Sequence, residues 1–179
     1  MTNKIICAGF GGQGLMSLGM LLTYAGMLEN KEVSWCPSYG AEMRGGTANC
    51  SVVISDVQVG SPVISNDATV VVAMNLPSLL KFEDSLLPGA KIFINSSLIE
   101  RKTSRTDIDA YYIPANDIAG ELGNLKIANM VMLGALLKVL PIVKTESILL
   151  AFPKVFGENK AKFVPMNKEA IEKGANSIK

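Results

Sequence analysis

Apolar residues along the chain fall into short runs and longer helical stretches, separated by turn-forming residues. Lys4-Ile5-Ile6-Cys7-Ala8 is a short apolar run that predicts a buried strand. Gly9-Phe10-Gly11-Gly12-Gln13-Gly14 follows as a turn, and Leu15 to Leu28 predicts a helix that is apolar nearly all round. Such a helix is buried on more than one side. One side covers a sheet, and the other needs a partner or another layer of the same domain. Glu32-Val33-Ser34-Trp35-Cys36 predicts a second strand ended by Pro37, which has no N–H for a ladder. Ala48 to Ser55 predicts a third, rich in strand-forming Val52, Val53 and Ile54. The stretch between them, Ser38 to Thr47, is too short for a helical crossover. The two strands are therefore antiparallel, or the loop is highly irregular.

The second half keeps a more regular beat. Thr69 to Met74 predicts a buried strand after the turn Ser65-Asn66-Asp67. Pro77 opens a helix carrying Leu79, Leu80, Phe82, Leu86 and Leu87, which Pro88-Gly89 stops. Lys91 to Asn95 and Tyr111 to Ile113 are further strands, the latter closed by Pro114. Between them Arg101, Lys102 and Arg105 lie on a polar loop, solvated or able to receive a phosphate. Leu125 to Leu140 predicts a second helix, apolar on most faces, in which Gly134 marks a close contact. Thr145-Glu146 starts a short helix through Leu149 and Leu150, broken near Pro153, and Asn167 caps a final helix, Lys168 to Lys173.

Strands alternating with helices in a chain of 179 residues give one α/β domain over residues 1–179. The expected architecture is Rossmann-like, with a mixed, mostly parallel sheet flanked by helices. Charged residues make up 18%, against roughly 25% in an average domain. With nine Met residues this points either to subunit contacts or to a large core. The net charge of +1 comes without a basic run, so nothing marks a nucleic-acid partner. Histidine is absent, which excludes a Ser-His-Asp triad, His acid–base catalysis and His-ligated metal within the chain. Cys7, Cys36 and Cys50 form no CxxC and read as core or near-core thiols in a reducing cytoplasm. No apolar run reaches the roughly 20 residues that span a bilayer, and no leader precedes the first strand, so no membrane association is expected.

A glycine turn between a strand and a helix lets backbone approach a ligand and offers unpaired N–H groups to an anion. The spacing Gly9-x-Gly11-x-x-Gly14 matches the dinucleotide fingerprint. That fingerprint requires an acid at the end of the second strand for the ribose hydroxyl. This strand ends Cys36-Pro37-Ser38-Tyr39, and Glu29 and Glu32 fall at the wrong end, which counts against NAD. The loop Ser38-Tyr39-Gly40-Ala41-Glu42-Met43-Arg44-Gly45-Gly46-Thr47 concentrates hydroxyls, an acid, a base and glycines where functional groups are commonly carried.

The glycine turn followed by Pro37-Ser38-Tyr39-Gly40-Ala41-Glu42-Met43-Arg44-Gly45-Gly46 resembles the gamma subunit of 2-oxoacid:ferredoxin oxidoreductases. Ser51 to Asp56, Gly60-Ser61-Pro62 and the helix containing Asn129 and Leu133-Gly134 continue the resemblance over essentially the whole chain. The resemblance implies a multi-subunit enzyme that oxidatively decarboxylates a 2-oxoacid to an acyl-CoA, with CoA as co-substrate. Thiamine diphosphate would sit in alpha and beta partner subunits, and iron–sulfur clusters in the beta subunit or a small ferredoxin-like delta subunit. Ferredoxin would accept the electrons. Tyr-Gly-Ala-Glu-Met-Arg-Gly-Gly at residues 39–46 is closer to 2-oxoglutarate and branched-chain types than to pyruvate types. The indolepyruvate small subunit shares the domain and stays open.

On that resemblance the expected site consists of Gly9, Gly11, Gly12, Gln13 and Gly14 together with Ser38, Tyr39, Glu42, Arg44 and Gly45. Gly11, Gly12 and Gln13 would face a phosphate or a neighbouring backbone. Arg44, held by Glu42, would contact a CoA phosphate or a partner carboxylate, and Tyr39 would offer a flat face. No residue is expected to be catalytic and none to hold metal. The other reading makes the same surface a subunit interface with no ligand contact.

Overall fold

The computed structural model describes residues 1–38 and 47–178. Strand β1 (Thr2–Phe10) runs into the glycine turn and helix α1 (Leu15–Leu28), followed by β2 (Glu32–Ser38) and β3 (Thr47–Ser55). Next come β4 (Ala68–Ala73), α2 (Leu76–Phe82), β5 (Leu86–Asn95) and β6 (Asp109–Ile113). The chain finishes through α3 (Ala115–Glu121), α4 (Ala128–Val139), α5 (Thr145–Phe156) and α6 (Val164–Asn176). The strands form one sheet in the order β2-β3-β1-β4-β5-β6. Only β3 runs against the others: β1, β4, β5 and β6 pair parallel, while β3 is antiparallel to both its neighbours. The mixed, mostly parallel α/β sheet matches the expectation, as does the antiparallel β2–β3 pair.

Side chains of a strand alternate between faces, and the two faces are covered unequally. Ile5 and Cys7 of β1, Val52 and Ile54 of β3, Val70 and Val72 of β4 and Phe93 of β5 face a large core closed by α1, α3, α4, α5 and α6. Ile6, Ala8, Val71, Ala73, Ile92 and Ile94 face a smaller one, closed by Leu79 of α2 with Ile99. Helix α1 buries Leu18, Leu21, Leu22 and Ala25, and α5 supplies most of the second layer that its apolar circumference requires.

Several boundaries differ from the sequence reading, each for a physical reason. Strand β2 continues through Pro37 to Ser38, because it is an edge strand and a missing N–H there is tolerated. Helix α2 ends at Phe82, and Leu86 and Leu87 belong to β5. Pro88-Gly89 lies where the β4–β5 register shifts, with Gly89 at φ 75°. Helix α3 is an additional element, and Pro114 before it and Asp117 in its first turn are its start signals. Helix α5 continues past Pro153 to Phe156, since its buried Ile148, Ala151 and Phe152 hold it down. Asn167 sits inside α6, not at its start, and its Nδ2 donates to the Phe163 carbonyl at 2.7 Å. Cys7 and Cys50 are buried, but Cys36 is exposed on the edge strand.

Gly134 does mark a close contact. A Cβ at Gly134 would lie 1.9 Å from the Ile171 carbonyl oxygen, and one at Gly174 would lie 1.9 Å from that of Val131. The two glycines let the backbones of α4 and α6 touch reciprocally, and backbone cannot swing aside as a side chain can. The polar loop after β5 is also committed. Arg105 grips Asp107 through two bonds of 2.6 and 2.7 Å, and its Nη1 donates to the Glu83 and Leu86 carbonyls. The buried Glu83 carboxylate accepts from Thr103 Oγ1 at 2.8 Å and from the Ser104 amide. Arg105 therefore serves the fold, while Arg101 and Lys102 remain exposed.

Gly134→Ala is expected to destabilise the chain by about 3 kcal/mol in urea unfolding, the upper range for overpacking; an unchanged midpoint would show that α6 shifts freely. The Arg105 fork holds the Asp107 carboxyl below its ordinary value. That stabilisation is present above the unfolded carboxylate value of about 4 and is lost as pH falls through Asp107's lower value. Arg105→Ala should therefore cost more stability at neutral pH than in acid, and a pH-independent difference would contradict the pairing.

Candidate functional site

The carboxyl ends of β1 and β4 meet at the point where the chain's connections diverge. From β1 the chain crosses by α1 towards β2 on the large-core face, and from β4 it crosses by α2 towards β5 on the other face. In an open α/β sheet the crevice outside such a switch point is where ligands bind. The glycine turn occupies it. Gly12 (φ 90°) and Gly14 (φ 75°) both adopt left-handed backbone, which an L side chain rarely does. Gly14 is the residue from which α1 departs, and the helix has neither a side-chain cap nor an acid in its first turn. Gly11 and Gly12 are exposed.

Two carboxamides lock this turn. Gln13 folds back beneath it: Oε1 accepts from the Phe10 amide at 2.7 Å, and Nε2 lies 3.5 Å from the Met74 carbonyl. A Cβ at Gly9 would lie 2.5 Å from that same Oε1, so Gly9 makes room for the Gln13 side chain. The Gln13 amide thus serves this chain's own backbone. Asn129, at the start of α4, reaches across from the far side. Its Nδ2 donates to the Gly14 carbonyl at 3.0 Å, and its Oδ1 accepts from the Met130 amide at 3.0 Å. A Cβ on Gly14 would lie 2.4 Å from Asn129 Nδ2.

The sheet register brings the ends of the 38–47 connection beside the turn. Phe10 pairs with Thr47, Gly9 with Ala48, and Ser38 with Asn49. Ser38 is exposed at the end of β2. Tyr39, Glu42, Arg44 and Gly45 lie outside the described residues. Further polar groups line up along the neighbouring strand ends: Asn75 caps α2 by accepting the Ser78 amide at 2.9 Å, and Asn95 Nδ2 donates to Asn116 Oδ1 at 2.8 Å. A crevice of about 190 Å³ lies between Gly12, Gln13, Met74, Asn116, Leu125 and Lys126. Asn116 and Lys126 were not singled out in the sequence. Neither belongs to a motif, and only the fold carries them to the turn.

Cys7 and Cys50 are direct cross-strand partners behind the turn, and Cys50 Sγ donates to the Leu15 carbonyl at 3.4 Å. The hydrogen bond that the Cys7 thiol donates to the Cys50 sulfur, together with burial, pushes Cys7 well above its ordinary value, so it is no ready nucleophile. Among the described residues no group of three His, Cys, Asp or Glu side chains could hold a metal ion. No described helix is long and apolar enough to cross a membrane.

Residues 4–177 match the family model described as pyruvate ferredoxin/flavodoxin oxidoreductase. The chain belongs to that family. It is 39% identical over 173 residues to the ketoisovalerate oxidoreductase subunit VorA of Methanothermobacter thermautotrophicus, which covers 96% of this chain and 35% of that protein. It is 38% identical over 152 residues to the 2-oxoglutarate synthase subunit KorC of Methanocaldococcus jannaschii, covering 83% of this chain and 80% of that one. Among solved structures, the 2-oxoglutarate:ferredoxin oxidoreductase of Magnetococcus marinus, with 2-oxoglutarate, coenzyme A and succinyl-CoA bound, superposes at a TM-score of 0.88. The two are 25% identical, and the match covers 98% of this chain and 31% of the other. The chain thus spans about a third of the length of the VorA relative and of the Magnetococcus chain, and most of KorC.

Asn129→Ala should lower stability by about 1–2 kcal/mol, the range for a lost buried hydrogen bond, and should speed amide exchange at Leu15 to Leu18. Unchanged exchange in that first turn would mean that Gln13 alone holds it.

Proposed function

We infer that this chain is the gamma subunit, a single domain over residues 1–179, of a cytoplasmic multi-subunit 2-oxoacid:ferredoxin oxidoreductase. The observation that carries this reading is the pairing of the glycine turn with the two ends of the 38–47 connection at the switch point of a family-matched sheet. Alpha and beta partners, with or without a ferredoxin-like delta subunit, hold thiamine diphosphate and the iron–sulfur clusters, and ferredoxin takes the electrons. The gamma subunit assists assembly and borders the region where CoA enters. Relatives named for ketoisovalerate and 2-oxoglutarate favour those acids over pyruvate as substrate.

At that border Gly11 and Gly12 offer backbone to a phosphate, with Gln13 clamping the turn behind them. Ser38, Tyr39, Glu42, Arg44 and Gly45 form the facing half, in which Arg44 meets a CoA phosphate through a charge-assisted bond and Glu42 orients it.

Arg44→Ala in the reconstituted complex should raise the apparent KM for CoA about tenfold, the effect of one lost charge-assisted contact, while the subunits still copurify. If the complex instead falls apart, the surface is an interface without ligand contact. A panel of 2-oxoacids with CoA and a viologen acceptor then identifies the substrate, and activity with indolepyruvate alone would overturn the assignment.

A further inference from the structure

A second cavity, of about 200 Å³, opens on the helical side of Gly14, and it shares Gly14 with the glycine turn and Lys126 with the crevice beside it. Its floor is the first turn of α1, at Gly14 and Ser17, and the start of α4, at Asn129 and Met130. Its walls are Phe152 and Phe156 at the end of α5, and Phe163 just before α6. Lys126 and Lys160 also line it, and among the described residues no acidic side chain does.

Each part of this lining favours the same kind of ligand. Helix α1 has fourteen residues, no side-chain cap and no acid in its first turn, so its N-terminus presents partial positive charge towards Ser17. Lys126 and Lys160 add two full charges, and neither is in an ion pair among the described residues. Lys160 and Lys162 place their Nζ atoms 5.5 and 5.3 Å from the Phe163 ring centre, so the cations are gathered at the aromatic wall. Phe152 and Phe156 lie with ring centres 4.4 Å apart, giving an apolar surface of fixed shape beside them. The floor is rigid, because both polar ends of Asn129 are engaged with Gly14 and Met130.

The geometry points to a binding site for a phosphate ester that carries a planar ring, a nucleotide. The phosphate sits between Lys126, Lys160 and the first turn of α1. The ring lies against Phe156 and Phe163. The cavity holds one such portion, with the rest of the ligand continuing over the open surface, since whole drug-sized ligands fill pockets of about 300–1,000 Å³. A free nucleotide and the nucleotide end of a larger coenzyme share this chemistry.

The test is amide NMR titration of the whole chain with ADP, with inorganic phosphate and with CoA, on the native protein and on Lys126→Gln/Lys160→Gln. ADP should shift the amides of Ser17, Asn129 and Phe163, and the double variant should weaken its binding about tenfold. Inorganic phosphate should shift Ser17 while leaving Phe163 unmoved. CoA moving the same amides more tightly than ADP supports the coenzyme as source, and equal affinity supports a free nucleotide. The proposal is overturned if ADP leaves these amides unmoved, if CoA shifts them and ADP does not, or if the double variant binds ADP like the native chain. None of these readouts depends on activity or on assembly of the complex, so failure here leaves the function proposed above untouched.

Discussion

The contact between Asn129 and the Gly14 carbonyl joins the two halves of the molecule. It links the first helix to the fourth across 115 residues of chain, at the spot where β1 hands over to α1. Because Gly14 is left-handed, its carbonyl can start α1, by accepting the Leu18 amide at 3.0 Å, and still receive the Asn129 side chain. The cost is that position 14 admits only glycine: any other residue would meet both the unfavourable φ and the amide nitrogen of Asn129. The site therefore gets its rigidity from a glycine, the residue that is locally the most permissive.

The rest of the large-core face is arranged so that this contact can form. Helix α4 is buried on nearly all sides. It reaches its depth because Gly134 and Gly174 allow α6 to touch it backbone to backbone, and because α3 and α1 pack beside it. With one face of the sheet so heavily covered and the other closed by the short α2, the connections part between β1 and β4. Their carboxyl ends are left as the open rim. Gln13, Asn129, Asn75 and Asn95 gather there, each engaged in backbone or side-chain bonds that shape the rim.

Much of this was legible along the chain. Helix α1 was readable to the residue, since its apolar run is bounded by Gly14 and by Glu29-Asn30. The short loop between β2 and β3 dictated their antiparallel pairing, and Gly134 announced a close approach. Elsewhere packing outweighs a local breaker. Pro37 does not end an edge strand, Pro153 does not end a helix held by Phe152, and Pro88-Gly89 bends a strand that had looked like a helix terminus. Asn167 has a cap's chemistry but lies inside α6 and bonds back to the carbonyl of Phe163, just before the helix.

Local sequence determined the strand, glycine turn and helix at the N-terminus, because apolar period and backbone freedom act over a few residues. It also excluded histidine chemistry, because composition needs no fold. Only the tertiary structure decided which groups surround that turn. Asn129, Asn116 and Lys126 lie more than a hundred residues beyond it, in helices and turns whose local sequence would be the same beside any partner. They arrive at Gly14 because the parallel sheet, and two helices allowed into backbone contact, leave them no other place.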